Sequence, residues 1–303
     1  MASIPTITLP ASSLRLPRLA FGTGTALYGT PVKTQVTTAL QSGFRLIDNA
    51  EAYANEDTSG EAIAEFIASG KAERSQLFVL TKVGKAGMLN IQQAVKEEMK
   101  KLKVDYLDAY LLHFPPRGKH GLPSNVEAWK EMERIKEQGL AKSIGVSNWL
   151  ASDIQEVLDC DECKLKPEIN QIEFHPYVYS SPVYQELLEL QRREGIVTMT
   201  YGSQAPMVKN ALPEDEPLNP VLTKIASSRE GRTIASVLLN WAYQRSGGIV
   251  TTTTSKQERA LTYISLFDEN QVRNDILSQE ELQQIDEAGE QHGFAKFYMT
   301  AYL

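Results

Sequence analysis

Cysteine is nearly absent: Cys160 and Cys163 are the only two among 303 residues. A single Cys-x-x-Cys lacks the second ligand pair of a zinc site and the βαβ context of a thioredoxin-like redox motif. Asp161 and Glu162 between them would raise both thiol pKa values. Two unremarkable thiols near a helix end, in a reducing intracellular setting, are the expectation. Basic residues are outnumbered, 31 Lys and Arg against 38 acids, for a net charge of -7. Without a basic block, nucleic acid is not expected as a partner. No apolar run approaches the roughly 20 residues of a membrane span, so no membrane association is expected. The start, Met1-Ala2-Ser3-Ile4-Pro5, lacks the basic and apolar regions of a secretion signal. No Asn-x-Ser/Thr acceptor occurs. A cytoplasmic protein is expected. The four histidines have no metal-ligand spacing, so no metal is expected. No G-x-S-x-G is present, and Asp48, His175, Asp215 and the serines form no hydrolase pattern. Gly22-Thr23-Gly24-Thr25 fails as a dinucleotide loop of the G-x-G-x-x-G type, because position 27 is leucine.

What is present is repetition. After a short hairpin (Thr6–Leu9 and Leu14–Leu16 around Pro10–Ser13), apolar strands alternate with amphipathic helices. The strands read as Leu19–Phe21, Phe44–Ile47, Leu77–Thr81, Tyr106–Leu112, Ala141–Gly145, Glu168–Glu173, Val197–Tyr201 and Gly248–Thr251. The helices read as Lys33–Ser42, Gly60–Ser69, Ile91–Leu102, Asn125–Gln138, Ala151–Asp159, Pro182–Arg193, Pro220–Ser228 and Thr233–Gln244. Several end at glycine, as in Ser42-Gly43, Gln138-Gly139 and Glu194-Gly195. A short helix beyond Lys256, another at Ser278–Ala288 and an aromatic tail follow. Eight strands with eight helices predict a closed (β/α)8 TIM barrel, with an N-terminal β-hairpin across its bottom and extra C-terminal helices and tail. No composition break divides the chain, so residues 1–303 read as one domain.

Barrels place chemistry at the C-terminal ends of their strands. There the chain carries Asp48 with Tyr53, Lys82 and His113, after three successive strands. A phenol near pH 7 is a weak acid, but an adjacent ammonium favours the phenolate. A carboxylate keeps that ammonium charged and in place. A neutral imidazole can donate to a carbonyl oxygen. Tyr53 is therefore the candidate proton donor, Lys82 its tuner, Asp48 the positioner of Lys82 and His113 the polariser. Together they suit carbonyl reduction, with hydride supplied by a nicotinamide, since no side chain supplies it. Further polar residues at strand ends are Ser147-Asn148, Gln171 with His175, and Tyr201-Gly202-Ser203-Gln204. Tyr177, Tyr179 and Tyr184 read as packing around the sixth loop.

These residues resemble the aldo-keto reductase superfamily. Asp48-x-Ala-x-x-Tyr53-x-Asn55-Glu56, Thr81-Lys82 and Leu112-His113 are similar to its catalytic tetrad. Lys142-Ser143-Ile144-Gly145-Val146-Ser147-Asn148-Trp149 and Asn170-Gln171-Ile172-Glu173-Phe174-His175-Pro176 resemble its motifs at the fifth and sixth strands. Fungal reductases of conjugated polyketones and 2-dehydropantolactone look like the nearest subgroup. The resemblance implies NADPH, with NADH the weaker alternative, bound across the barrel mouth. Ser147, Asn148 and Gln171 would hold the carboxamide, and Tyr201 would stack on the ring. Gly22, Thr23 and Asp48 would flank the ribose, with Gly202, Ser203 and Gln204 at the pyrophosphate. The family's phosphate stretch, usually Ile-Pro-Lys-Ser followed by an arginine and Glu-Asn, departs here: Thr253 replaces the lysine and Thr262-Tyr263 the Glu-Asn pair. Thr253, Thr254, Ser255, Lys256 and Arg259 would still take the 2′-phosphate. Members that reduce carbon–carbon double bonds carry glutamate where this chain has His113. Aromatic pocket positions of aldose-reductase-like members fall at Gly24 and Gly84. Tyr28, His113, Phe114 and Trp149 would line what remains, a roomier pocket for ketones or larger carbonyls. Phe294, Phe297, Tyr298 and Tyr302 would close it. A small-molecule carbonyl is the expected substrate and a monomer or weak dimer the expected assembly. Two rivals are a nicotinamide-sensing regulatory subunit with slow turnover and a lyase forming a Schiff base through Lys82.

Overall fold

The computed structural model describes residues 4–268 and 276–300. Two antiparallel strands, β1 (Thr6–Thr8) and β2 (Arg15–Pro17), precede a closed parallel barrel. Its staves are β3 (Leu19–Gly22), β4 (Leu46–Asp48), β5 (Phe78–Val83), β6 (Leu107–Leu112), β7 (Ala141–Ser147), β8 (Ile169–Glu173), β9 (Val197–Tyr201) and β10 (Ile249–Thr252). They pair in chain order, and β10 closes on β3. Among the described residues, the helices wrapping the barrel are α1 (Lys33–Ser42), α2 (Glu56–Ala68), α3 (Ile91–Leu102), α4 (Asn125–Glu137), α5 (Ala151–Leu158), α6 (Pro176–Tyr179), α7 (Pro182–Glu194), α8 (Ala205–Lys209), α9 (Leu218–Ser227) and α10 (Ile234–Ser246). Two follow the last strand: α11 (Gln257–Leu266) and α12 (Gln279–His292). No helix among the described residues is long and apolar enough to cross a membrane.

Successive residues on a strand point to opposite faces, so one phase of each stave faces the barrel axis. The inward phase is apolar at the bottom. Ala20, Leu46, Leu80, Ala109, Leu111, Ile169, Met199 and Ile249 form an inner core, which Leu9 and Leu16 of the hairpin close from below. Glu168, just before β8, clamps this plug by accepting the backbone N–H groups of Ala11 and Ser12. The larger core lies between staves and helices and contains all three tryptophans, Trp129, Trp149 and Trp241. Tyr177 and Tyr184 are buried in it and Tyr179 packs against it, as expected of the sixth loop.

Most element boundaries differ from the sequence reading by one to four residues, and three helix starts have a physical reason or a clear cap. Helix α2 begins at Glu56, not Gly60. Gly60 is interior because α2 crosses the end of α3 there: a Cβ on it would stand 2.2 Å from the Lys101 carbonyl oxygen. Thr233 is the cap of α10 rather than its first residue, and Leu218 starts α9 two residues ahead of Pro220. The short helices α6 and α8 were not anticipated; each is a single turn or so within a loop. A larger correction concerns the cysteines. Cys160 and Cys163 are joined as a disulfide, not two free thiols. The turn after α5, closed by a Cys163 N–H to Cys160 carbonyl bond, sets their Cα atoms 5.3 Å apart, inside the range a disulfide spans. The cysteines therefore supply no argument for a reducing compartment.

Candidate active site

Two residues up from the apolar rung, the inward phase turns polar on five of the eight staves. Leu46 is followed by Asp48, Leu80 by Lys82, Leu111 by His113, Ile169 by Gln171 and Met199 by Tyr201. Tyr53 arrives from the β4–α2 loop, on a single 3-10 turn from Glu51 to Tyr53. Asn55, next in that loop, donates to the carbonyls of Thr23 and Leu27 and so ties the first two loops together.

Lys82 is wholly buried and makes three bonds from Nζ: to Asp48 Oδ1 at 2.5 Å, the Asn49 carbonyl at 2.8 Å and the Tyr53 hydroxyl at 3.2 Å. The His113 ring meets the Tyr53 ring edge to face, with centroids 5.5 Å apart. The four side chains thus converge on one point. Asn49 was not singled out from the sequence, because its contribution is a backbone carbonyl.

The electrostatics correct one expectation. Burial, the largest effect, holds the Tyr53 hydroxyl above its usual pKa of 10, and the Lys82 ammonium offsets this only in part. Burial works to lower Lys82, but the Asp48 charge and the hydrogen bonds to Asp48 and Tyr53 outweigh it, so the ammonium is held above its usual value. Burial, seconded by the Lys82 charge, pushes His113 down to about 3. The site therefore holds a protonated phenol, a charged lysine and a neutral imidazole. Lys82 acts less by acidifying the resting phenol than by stabilising the phenolate once the proton has gone.

A second network joins the first. Gln171 Nε2 donates to Asp48 Oδ2 at 2.8 Å, and Ser147 Oγ donates to the Gln171 carbonyl. Asn148 has a left-handed backbone, φ 60°, which turns its amide back into the mouth. There Asn148 Nδ2 donates to the His113 carbonyl and Ser147 Oγ, while Oδ1 accepts the Tyr201 hydroxyl at 2.7 Å. Gly22 and Thr23 lie beside Asp48, and the Thr23 N–H bonds its carbonyl. Gly24 is a cradle: a Cβ there would come within 2.7 Å of the Tyr53 ring.

Around the mouth the outcome is mixed. Ser203 is buried beside Thr200, its Oγ 3.5 Å from the threonine hydroxyl. Gln204 is committed elsewhere: its amide donates to the Tyr263 hydroxyl at 2.9 Å, tying β9 to α11. The hydroxyls of Thr251 and Thr253 are buried without a partner, while Ser255, Lys256 and Arg259 are exposed around the start of α11. Thr254 Oγ1 accepts the Lys256 N–H within its own turn. A helix N-terminus with two cations and orphaned hydroxyls beneath it fits a ligand bearing phosphate and ribose oxygens.

Of the expected pocket residues, Tyr28 stands at the mouth, 59% exposed and 6.3 Å from the Tyr53 ring. Trp149 does not line it. Phe114, in the bend after β6, is 6% exposed, and both pack into the larger core. Trp149 has no accessible surface. The tail is packed rather than loose: Phe297 lies against His175 and Tyr298 against Tyr201, with Phe294 outermost. Tyr302 lies outside the described residues. Among those residues no group of three or more His, Cys, Asp or Glu could hold a metal ion.

The chain resembles known proteins over most of its length. The family model described as "Aldo/keto reductase family" matches residues 19–290. An NAD/NADP-dependent indole-3-acetaldehyde reductase of Schizosaccharomyces pombe is 38% identical over 261 residues, 83% of this chain and 86% of that protein. An aldo-keto reductase of Mycolicibacterium vanbaalenii is 35% identical over 269 residues, 88% of each chain. A crystal structure of a Bombyx mori aldo-keto reductase in complex with NADP superposes with a TM-score of 0.81 at 31% identity, covering 95% of this chain and 94% of that one.

Proposed function

The chain belongs to the aldo/keto reductase family, and from that membership we propose how its residues divide the work. It is an NADPH-dependent oxidoreductase that reduces a ketone or aldehyde to an alcohol; the reverse reaction oxidises an alcohol with NADP. Bound NADPH supplies the hydride. Ser147, Asn148 and Gln171 orient its carboxamide end, Tyr201 offers the stacking face, and Gly22, Thr23 and Asp48 flank the ribose. Gly202 and Ser203 face the pyrophosphate, with Gln204 holding their loop to α11. Thr253, Thr254, Ser255, Lys256 and Arg259 take the 2′-phosphate, which favours NADPH over NADH. Tyr28 borders the substrate.

The substrate oxygen is placed between the Tyr53 hydroxyl and the His113 imidazole. His113, neutral and carrying one N–H, donates to that oxygen and withdraws charge from the carbon. As negative charge develops on oxygen, Tyr53 transfers its proton there. The phenolate left behind is stabilised by Lys82, which Asp48 and the Asn49 carbonyl hold in place. Gln171 fixes the other oxygen of Asp48, so the orientation of the carboxylate is set from both sides.

The observation that carries this reading is the buried Asp48–Lys82–Tyr53 chain ending beside His113. It also speaks against the lyase: an ammonium giving its protons to three oxygens has no lone pair for a Schiff base. All four groups come from one chain, which supports activity as a monomer or weak dimer. The test is to mix the protein with NADPH, and separately NADH, and screen α-diketones, ketolactones and aldehydes for loss of reduced-nicotinamide absorbance. Oxidation requiring both protein and carbonyl, faster with NADPH, is expected. Binding of NADPH with no turnover on any carbonyl would favour the regulatory subunit instead.

A further inference from the structure

Glu173, the last residue of β8, has no part in the chemistry above, yet it is a wholly buried carboxylate. Neither oxygen is idle. Oε1 accepts the backbone N–H of Phe297 at 2.7 Å and His175 Nε2–H at 2.9 Å, and Oε2 accepts the backbone N–H of Tyr298 at 3.0 Å. Burial lowers the His175 pKa despite the neighbouring carboxylate, so this is a neutral ring donating to an anion. A buried anion is tolerated only when donors surround it. Two of the three donors are main-chain groups more than a hundred residues further along, so the anion fixes the C-terminal segment at the end of β8. That segment is also joined to α6, where Gly289 of α12 approaches so closely that a Cβ would stand 2.5 Å from the Pro176 carbonyl oxygen.

What Glu173 fixes in place lies on the cofactor side. The Tyr298 ring meets Tyr201 edge to face, centroids 6.0 Å apart, and a Cβ on Gly202 would come within 3.2 Å of Tyr298 Cε2. Lys209 Nζ stands over the Tyr298 ring at 5.2 Å. Phe297 shields the bond behind it, 5.3 Å from the His175 ring.

We propose that Glu173 is a positioning residue for the cofactor: by gripping the Phe297 and Tyr298 amides it wedges Tyr298 against Tyr201 and Gly202, and so sets how tightly the dinucleotide is held. This rests on the assignment of Tyr201 and Gly202 to the cofactor made above. Glu173 acts through Tyr298 and never touches the reacting atoms, so its loss weakens binding more than it slows proton transfer.

The test pairs Glu173→Gln, which keeps the shape but sets an amide NH2 against the donors, with Tyr298→Ala, which removes the wedge at a half-buried position and leaves the carboxylate intact. In cofactor-free Glu173→Gln, hydrogen exchange at the Phe297 and Tyr298 amides is expected to speed up about tenfold or more, the usual consequence of losing a bond to a buried anion. In both variants the Kd for NADPH is expected to rise about tenfold while kcat at saturating NADPH changes far less, the same class of lost contact. A general folding defect would lower kcat and thermal midpoint together and give no such split. Unchanged amide exchange in Glu173→Gln, or an unchanged Kd in Tyr298→Ala, overturns the proposal. If the amides loosen but even the unsubstituted protein binds no NADPH, the cofactor assignment is what fails, and this role with it.

Discussion

At the scale of single residues, burial matters more than pairwise charge. Tyr53 was expected to be acidified by Lys82, and it is instead kept protonated by its surroundings. That serves a donor well, because the proton is present at every physiological pH and leaves only when charge appears on the substrate. His113 shows the same logic in reverse. Held down to about 3, it is neutral wherever the enzyme works, and the native state has no proton to lose near the usual imidazole value of 6.5. The sign follows: the unfolded chain takes up this proton as pH falls below about 6.5 and the native chain does not until about 3, so His113 erodes stability towards acid and never towards base. A kcat/KM profile between about pH 5 and 9 is therefore expected to carry no limb from His113, the window being set by its usual range. An ionisation near pH 6.5 in that profile, lost in a His113→Gln variant, would contradict the account. Asn49 and Glu173 show what was illegible at this scale. One contributes only a carbonyl, and the other acts on amides that no sequence spacing places beside it.

At the scale of elements, the site was legible because strands alternate. Extending the inward phase two residues past Leu46, Leu80 and Leu111 lands on Asp48, Lys82 and His113. Trp149 misled because it follows Ser147 and Asn148, the two members of its motif that do face the mouth. Helix α2 misled because glycine was taken for a boundary, whereas Gly60 is a close-contact point with α3. The same helix carries a cost at its first residue. Glu56 is buried, with Oε1 accepting from Thr81 Oγ1 and Oε2 without a hydrogen bond, 4.0 Å from the Lys101 ammonium, and burial raises its pKa to about 7. The native state thus keeps a proton that the unfolded chain releases near 4.5. The stability this contributes is present below about 4.5 and is lost as pH rises through about 7. Glu56→Gln keeps the acceptor for Thr81 and cannot ionise. It is expected to flatten the fall in thermal midpoint between about pH 5 and 8, recovering on the order of 3 kcal/mol at the upper end, the worth of a shift of this size. Equal losses in variant and parent across that range would show that Glu56 is not the group responsible.

At the scale of the molecule, the barrel is closed at one end and furnished at the other. The hairpin plugs the bottom with Leu9 and Leu16, and the tail is drawn across the seventh-strand side of the mouth by Glu173. The alternating strand and helix pattern made the barrel and its plug readable in advance, since both follow from local periodicity. The disulfide and the packed tail were not readable, since each depends on contacts made only after the chain has closed. The central claim is that Tyr53 delivers the proton, and Tyr53→Phe removes only that oxygen from the site. Turnover of a carbonyl by this variant, measured with NADPH binding followed in parallel, is the direct test. Loss of about 10²–10⁴-fold in kcat with NADPH affinity retained, the range a general acid supplies, is the expected result. Near-parental turnover across several carbonyls would contradict it.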